Sequence, residues 1–267
     1  MTAQQKSLNV LVIGDTCTDI YYKCRNTRLN PESSAPLVQV SSMFIKQGMA
    51  ANVALCLEEL GINVTTLFSD SNSSKTRYIN VVTNEQLLRV DFEDKIEPCS
   101  EEQVVNLVAK PFDAIVISDY NKGFLSINLI NLINRLAKFH NNTPIFLDTK
   151  KKDLDKFDTN IYLKINEHEA NAATKVPRNA IVTMGGAGVT WYNERWPAYK
   201  SNTIDVCGAG DAFLAGLVYG YLTSPDECIE YGIVNAGISV RHVGTYSPTL
   251  KELKEGLNEY YQQCRKN

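Results

Sequence analysis

Short apolar runs rich in β-branched residues recur along this chain, separated by longer stretches with helical spacing, and that alternation most restricts how it can fold. Leu8 to Ile13, Val64 to Phe68, Ala114 to Ser118, Ile145 to Leu147, Ile161 to Ile165 and Ala180 to Met184 read as buried strands. Asn52 to Leu60, closed by Gly61, reads as a helix, as do Leu214 to Leu222 and Ile229 to Val240. Strands alternating with helices pair in parallel beneath helical layers, so the predicted class is α/β with a mainly parallel central sheet. Each strand ends in polar or glycine-rich residues, and ligands of such sheets gather at those ends.

Two segments interrupt the alternation. Tyr21 to Lys46 and Lys75 to Glu93 carry strand-like residues with little helical character, and the first contains the proline-bounded loop Asn30 to Pro36. They fit either a small accessory sheet over a cleft or edge strands of the main sheet. No repeat or linker divides the chain, so one domain over residues 1–267 is expected, with lid segments near 20–47 and 75–93.

A net charge of -3 gives no overall basic field, which argues against nucleic acid as a partner. Residues 1–15 are polar and then enter a short strand without a signal-peptide core, and no apolar run is long enough to span a bilayer, so a cytoplasmic location without a membrane partner is expected. The cysteines form no C-x-x-C pair and read as reduced thiols; His140, His168 and His242 form no metal pair.

Four groups of residues carry chemistry. Asp205-Val206-Cys207-Gly208-Ala209-Gly210-Asp211 precedes a helical run, so backbone amides and the positive helix end converge where an anionic phosphoryl group can be held. Asp211 falls in the first turn, and a carboxylate of ordinary pKa near roughly 3.9 is ionised at neutral pH and can take a proton from a hydroxyl. A tightly packed helix start with a dipole-favoured acid gives the same pattern. Thr183-Met184-Gly185-Gly186-Ala187-Gly188 follows a strand and fits either a nucleotide phosphate loop or a simple hairpin turn. Lys164-Ile165-Asn166-Glu167-His168-Glu169 ends another strand; Asn166 and Glu169 fit either water-mediated contact with magnesium or a capping box. Asp15 and Asp19 after the first strand, with Gly48 and Asn52 before the first helix, fit sugar hydroxyls or turn formation.

Taken together and in this order, these residues resemble the PfkB (ribokinase-like) family of carbohydrate kinases. The resemblance implies a three-layer α/β/α fold with a small β lid, and transfer from ATP and Mg2+ to a sugar or sugar phosphate. It implies that Asp211 is the base, that the backbone of Gly208, Ala209 and Gly210 is the anion hole, and that Asp205 has a conformational or monovalent-cation role, with potassium the candidate ion. It further implies nucleotide contacts for Lys164, Asn166, Thr183, Gly185, Gly188 and Asn235, and sugar contacts for Asp15, Asp19, Gly48 and Asn52. Pairing of lid strands between subunits makes a homodimer a hypothesis for this chain.

Within the family, Gly14 to Tyr21, Arg28 to Pro36, Gln86 to Asp91, Ser118 to Gly123 and Asp148-Thr149-Lys150 resemble the kinases of D-glycero-D-manno-heptose 7-phosphate, which act on the anomeric oxygen. Lys75, Arg77, Arg89 and Lys122 are the candidate receivers of that substrate's own phosphate. The chain departs from the subgroup in four ways. Met49 replaces a glycine, Cys207 replaces a threonine, a βα unit expected after Asp70 is missing, and there is no H-x-G-H nucleotidyltransferase motif. Another sugar or nucleoside kinase of the family and a sugar-binding homologue without catalysis remain the alternatives. An NAD-dependent oxidoreductase would need G-x-G-x-x-G where Gly14-Asp15-Thr16 stands.

Overall fold

In the computed structural model, which describes residues 7–140 and 142–265, apolar strands too short to be stable alone assemble into two sheets. The polar lead over residues 1–6 lies outside the described residues. The large sheet contains β1 (Asn9–Gly14), β4 (Asn63–Phe68), β7 (Ala114–Asp119), β8 (Ile145–Thr149), β9 (Tyr162–Asn166), β10 (Ile181–Thr183), β11 (Val189–Trp191) and β12 (Glu194–Trp196). Its order is β12-β11-β10-β9-β8-β7-β1-β4, parallel from β10 to β4, with an antiparallel hairpin at the other edge.

The two-residue period of a strand divides its side chains between two cores. Val10, Val12, Val116 and Phe146 face one core with α1 (Ala50–Glu59), α5 (Ala209–Thr223), α6 (Cys228–Ser239) and α7 (Leu250–Cys264). Leu11, Ile13, Ile115, Ile117 and Leu147 face the other with α2 (Glu101–Val108) and α3 (Ile127–His140). The result is a three-layer α/β/α arrangement. No helix among the described residues is long and apolar enough to cross a membrane. All seven cysteines are free thiols.

The segments that break the alternation form a separate four-stranded sheet, in the order β3 (Pro36–Met49), β2 (Thr16–Leu29), β5 (Ser74–Asn80), β6 (Gln86–Phe92). Only Asp15 lies between β1 and β2, and β3 runs into α1 without an intervening residue. Residues 69–73 alone join β4 to β5, so β4 is an outer strand whose Thr65 and Thr66 face solvent. Polar side chains on such an edge discourage pairing with other chains.

Met49 sits at the root of the small sheet with φ 58 and ψ -134, a backbone conformation that glycine adopts freely and other residues adopt at a cost of about 1–3 kcal/mol. Its side chain is 4% exposed and packs between the two sheets. The substitution noted in the sequence therefore changes both backbone strain and side-chain volume at the cleft.

Candidate active site

The central group stands on α5. Gly208 precedes the helix with φ 76, and a Cβ there would lie 2.9 Å from Asn52 Nδ2, so this turn requires glycine both by conformation and by space. The next turn carries Gly210 and Asp211, whose amides lie where a helix leaves N–H groups without intrahelical acceptors. The Ala209 amide donates to the Val206 carbonyl at 3.3 Å, which leaves Gly208 and Gly210 as the better-placed members of the expected anion hole.

Asp211 is 4% exposed. Its Oδ2 accepts from Asn52 Nδ2 at 2.9 Å and its Oδ1 accepts from the Tyr120 hydroxyl at 3.1 Å. Burial raises its pKa to about 6; the Asn52 hydrogen bond opposes this, Asp148 adds to it, and Lys164 and the Tyr120 hydrogen bond oppose it. The carboxyl thus titrates near the range in which a general base is most effective while staying mostly ionised at neutral pH.

β8 and β9 place a buried ion pair beside Asp211. Lys164 Nζ lies 2.7 Å from Asp148 Oδ2, with side-chain exposures of 2% and 6%. A Cβ on Gly210 would come within 3.0 Å of that same Nζ, so the absent side chain lets the lysine approach the helix end. Asp148 Oδ1 is buried without a protein partner. These residues, with Tyr120, Lys150, Asn166, Thr183 and Gly185, line a cavity of about 430 Å³.

A second groove of about 450 Å³ adjoins it and shares Thr183, Gly185 and Gly210. It continues past Gly188 to Tyr199, to Ile233, Ala236 and Gly237 of α6, and to Val240 just beyond it. Gly188 has φ 96 and a Cβ there would strike the Trp196 carbonyl at 2.0 Å. Asn235 must be corrected: it is fully buried and donates to the Ala212 carbonyl at 2.8 Å, away from the groove. The helical period that turns residues 233, 236, 237 and 240 toward the groove turns 235 toward α5.

Asn166 and Glu169 form the capping box of α4 (Glu167–Ala172), and Glu169 also pairs with Lys150. Magnesium in phosphoryl-transfer sites keeps several waters and needs few direct protein ligands. Each Glu169 oxygen already accepts one bond, from Lys150 or from the Asn166 amide, so its remaining lone pairs and the unpartnered Asp148 Oδ1 are what fit the waters of such an ion.

The expected sugar residues are more dispersed. Asp19 is buried and pairs with Arg77 at 2.7 Å. A Cβ on Gly48 would lie 2.6 Å from Asp19 Oδ2, so these two are neighbours. Asp15 is 1% exposed, and its Oδ2 accepts from the amides of Tyr120 and Lys122; burial raises its pKa, as does nearby Asp119. It therefore anchors the turn after β7. Asp205 accepts from the amides of Cys207 and Gly244, tying the glycine loop to the segment after α6. Arg89 pairs with Asp91 on the outer strand, and Lys122 pairs with Glu93. Tyr120 and Asp148 had no role assigned from the sequence; both follow or end apolar strands of the sheet, which is the signal that marks them.

The model of the pfkB family carbohydrate kinases matches residues 70–252. The chain is 27% identical over 314 residues to the bifunctional protein HldE of Campylobacter jejuni (strain RM1221), covering 99% of this chain and 68% of that protein. It is 29% identical over 306 residues to the bifunctional protein HldE of Marinomonas sp. (strain MWYL1), covering 93% and 63%. It therefore spans about two thirds of the length of these relatives. The fold is similar to that of Arabidopsis thaliana ribokinase complexed with ribose and ATP, with a TM-score of 0.70 at 13% identity over 94% of this chain and 99% of that one. With the family model matching well over half its residues, the chain belongs to the pfkB family of carbohydrate kinases.

Proposed function

We propose that this chain is a cytoplasmic ATP-dependent sugar kinase that phosphorylates the anomeric hydroxyl of a heptose 7-phosphate, with Asp211 as the general base. The observation that carries the reading is a buried carboxylate of raised pKa on the same helix turn as the amide cradle, lining the cavity of about 430 Å³ that adjoins the second groove. The groove past Gly185 and Gly188 would hold ATP, and the Gly210 amide and Lys164 are the groups that would receive its transferring phosphate. Asp211 takes the proton of the sugar hydroxyl as the new O–P bond forms and the bond to ADP breaks. Bound magnesium would neutralise charge on the nucleotide phosphates; Glu169, Asn166 and Asp148 are the residues that would hold it through water. The small sheet serves as the lid that keeps water from the transfer.

The sugar phosphate is favoured by the state of four cations. Arg77, Arg89 and Lys122 are paired with Asp19, Asp91 and Glu93. Lys75 instead faces the Cys17 thiol and the Tyr120 ring, available to a substrate phosphate. A screen of ADP release across sugars and sugar phosphates, with the product located by NMR, should find the heptose 7-phosphate turned over at least ~100-fold better than ribose or fructose, because a buried polar receptor rejects analogues that leave it unpaired. Equal turnover of unphosphorylated sugars would reject the substrate assignment, and no transfer to any of them would favour a binding protein.

A homodimer belongs to the same reading. Strand register lines up Ile45, Ile20, Thr76 and Val90, then Met43, Tyr22, Tyr78 and Leu88, across the outer face of the small sheet. Met43, Ile45, Leu88, Val90 and Phe92 are each at least 50% exposed, and a second copy would cover this apolar face. Sedimentation at micromolar concentration should give twice the mass of one chain; a monomer there rules the dimer out.

A further inference from the structure

We propose that Tyr120 and the acceptor hydroxyl compete for one oxygen of the base, so that sugar binding requires Tyr120 to swing away from Asp211. The inference rests on the kinase reading above and deepens it.

Asp211 has two oxygens to offer. Oδ2 is held by Asn52, which reaches it from α1 at 2.9 Å. Oδ1 meets the Tyr120 hydroxyl at 3.1 Å. A general base must lie within about 2.6–3.2 Å of the hydroxyl it deprotonates, and the phenol sits at that distance from the oxygen that Asn52 leaves open, so an acceptor that approaches Oδ1 from the cavity meets it. Tyr120 also presents the same chemical group as the acceptor. Burial and the charge of Asp211 push its pKa up, so it stays a protonated donor.

The surroundings allow such a movement. The Tyr120 ring belongs to neither hydrophobic core. Lys75 from the lid and Lys150 from beyond β8 lie over it, at 5.3 and 5.2 Å from its centroid. The backbone is fixed separately, by the bond from the Tyr120 amide to Asp15 at 2.7 Å. On the lid side, the crevice lined by Cys17, Met49, Lys75 and Lys122 holds about 10 Å³, too little for a sugar. The open space at Asp211 is the cavity of about 430 Å³, which the Tyr120 side chain also lines. A sugar carrying a distal phosphate would draw Lys75 from the ring as its hydroxyl replaces that of Tyr120, so the two displacements reinforce one another. A sugar without that phosphate would have to displace the phenol unaided.

The charged and titratable groups facing Asp211 are Tyr120, Asp148, Lys150, Lys164 and Cys56, with Asn52 as its neutral partner. In Tyr120→Phe the base loses one donor but keeps all the others. The test measures transfer to the heptose phosphate, or to whichever sugar the screen identifies, against pH. The acceptor KM should fall about tenfold because no bond must be broken on binding, with kcat within about twofold of wild type. The acid limb of kcat/KM, which reports the free enzyme, should move to higher pH, whereas that of kcat stays in place. Limbs that move together would place the phenol on the base throughout the reaction, and a fallen kcat at unchanged KM would give it a role in the transition state; either result overturns the competition. Should the variant not fold, 3-fluorotyrosine placed at residue 120 of the wild-type chain supplies a fluorine resonance that must shift when the acceptor is added, and a resonance that does not move also overturns the proposal. Failure of the kinase reading appears separately, as wild-type protein that transfers phosphate to no sugar, and the inference falls with it.

Discussion

Asp211→Asn should lower kcat by about a thousandfold while leaving ATP affinity within a few-fold of wild type, since a positioned general base contributes roughly 10² to 10⁴ in rate. The replacement is nearly isosteric. An amide oxygen turned to Asn52 and an amide nitrogen turned to the Tyr120 oxygen would keep both hydrogen bonds, and removal of a buried charge does not weaken the fold. ADP release measured beside calorimetric ATP binding separates catalysis from binding, and a variant retaining a tenth of wild-type kcat would remove Asp211 from the role of base. The wild-type pH profile provides the companion check. The base works as carboxylate, and burial has raised its pKa to about 6, so kcat/KM should fall tenfold per unit as pH drops below that value. An acid limb near pH 4 would mean that the group in control is an exposed carboxyl.

Lys164→Met should cost about 3–5 kcal/mol of stability, because it strands the Asp148 carboxylate, 5% exposed, without the ammonium that bonds it at 2.7 Å. For a chain of this size the melting temperature should fall by roughly 10 °C. On the proposed kinase reading activity should fall too, since the ammonium beside Gly210 is lost from the cavity that Asp211 lines. Combining Lys164→Met with Asp148→Leu tells the two losses apart. The double variant should recover most of the stability, as buried pairs often yield to apolar residues of similar volume, but none of the activity. Thermal unfolding followed by circular dichroism measures this, and a single variant that melts within 2–3 °C of wild type would show that the pair contributes little.

The sheet was legible wherever a strand is apolar and buried. β1, β7 and β9 lie within one residue of the runs read from composition, because a fully buried parallel strand leaves an uninterrupted β-branched signature. The start of α5 was legible in part, for Asp211 does fall in its first turn as the glycine motif implied, but no apolar period marks the boundary. The helix begins at Ala209, five residues before the apolar run that marked it, because Gly-Ala-Gly-Asp has the composition of a turn and only the positive φ of Gly208 fixes where the helix starts. β11 and β12 are three residues each, too short for any period to register. The candidate site divides in the same way. Asp211, Gly208 and Gly210 lie in one contiguous motif and were found by reading along the chain. The contacts of Tyr120 with Asp211 and of Lys164 with Asp148 span 91 and 16 residues, and depend on strand order and register that local patterning does not encode.

The small sheet grows from the core with no flexible joint. One residue separates β1 from β2, and β3 becomes α1 directly at Met49 and Ala50. A two-stranded ribbon rooted in this way behaves as a rigid arm, and torque applied at its tip is delivered to the first turn of α1, where Asn52 grips Asp211. The same arm ends at Asp15, which fixes the Tyr120 backbone. Whatever leans on the outer surface of the ribbon thereby acts on the alignment of the Asp211 carboxylate.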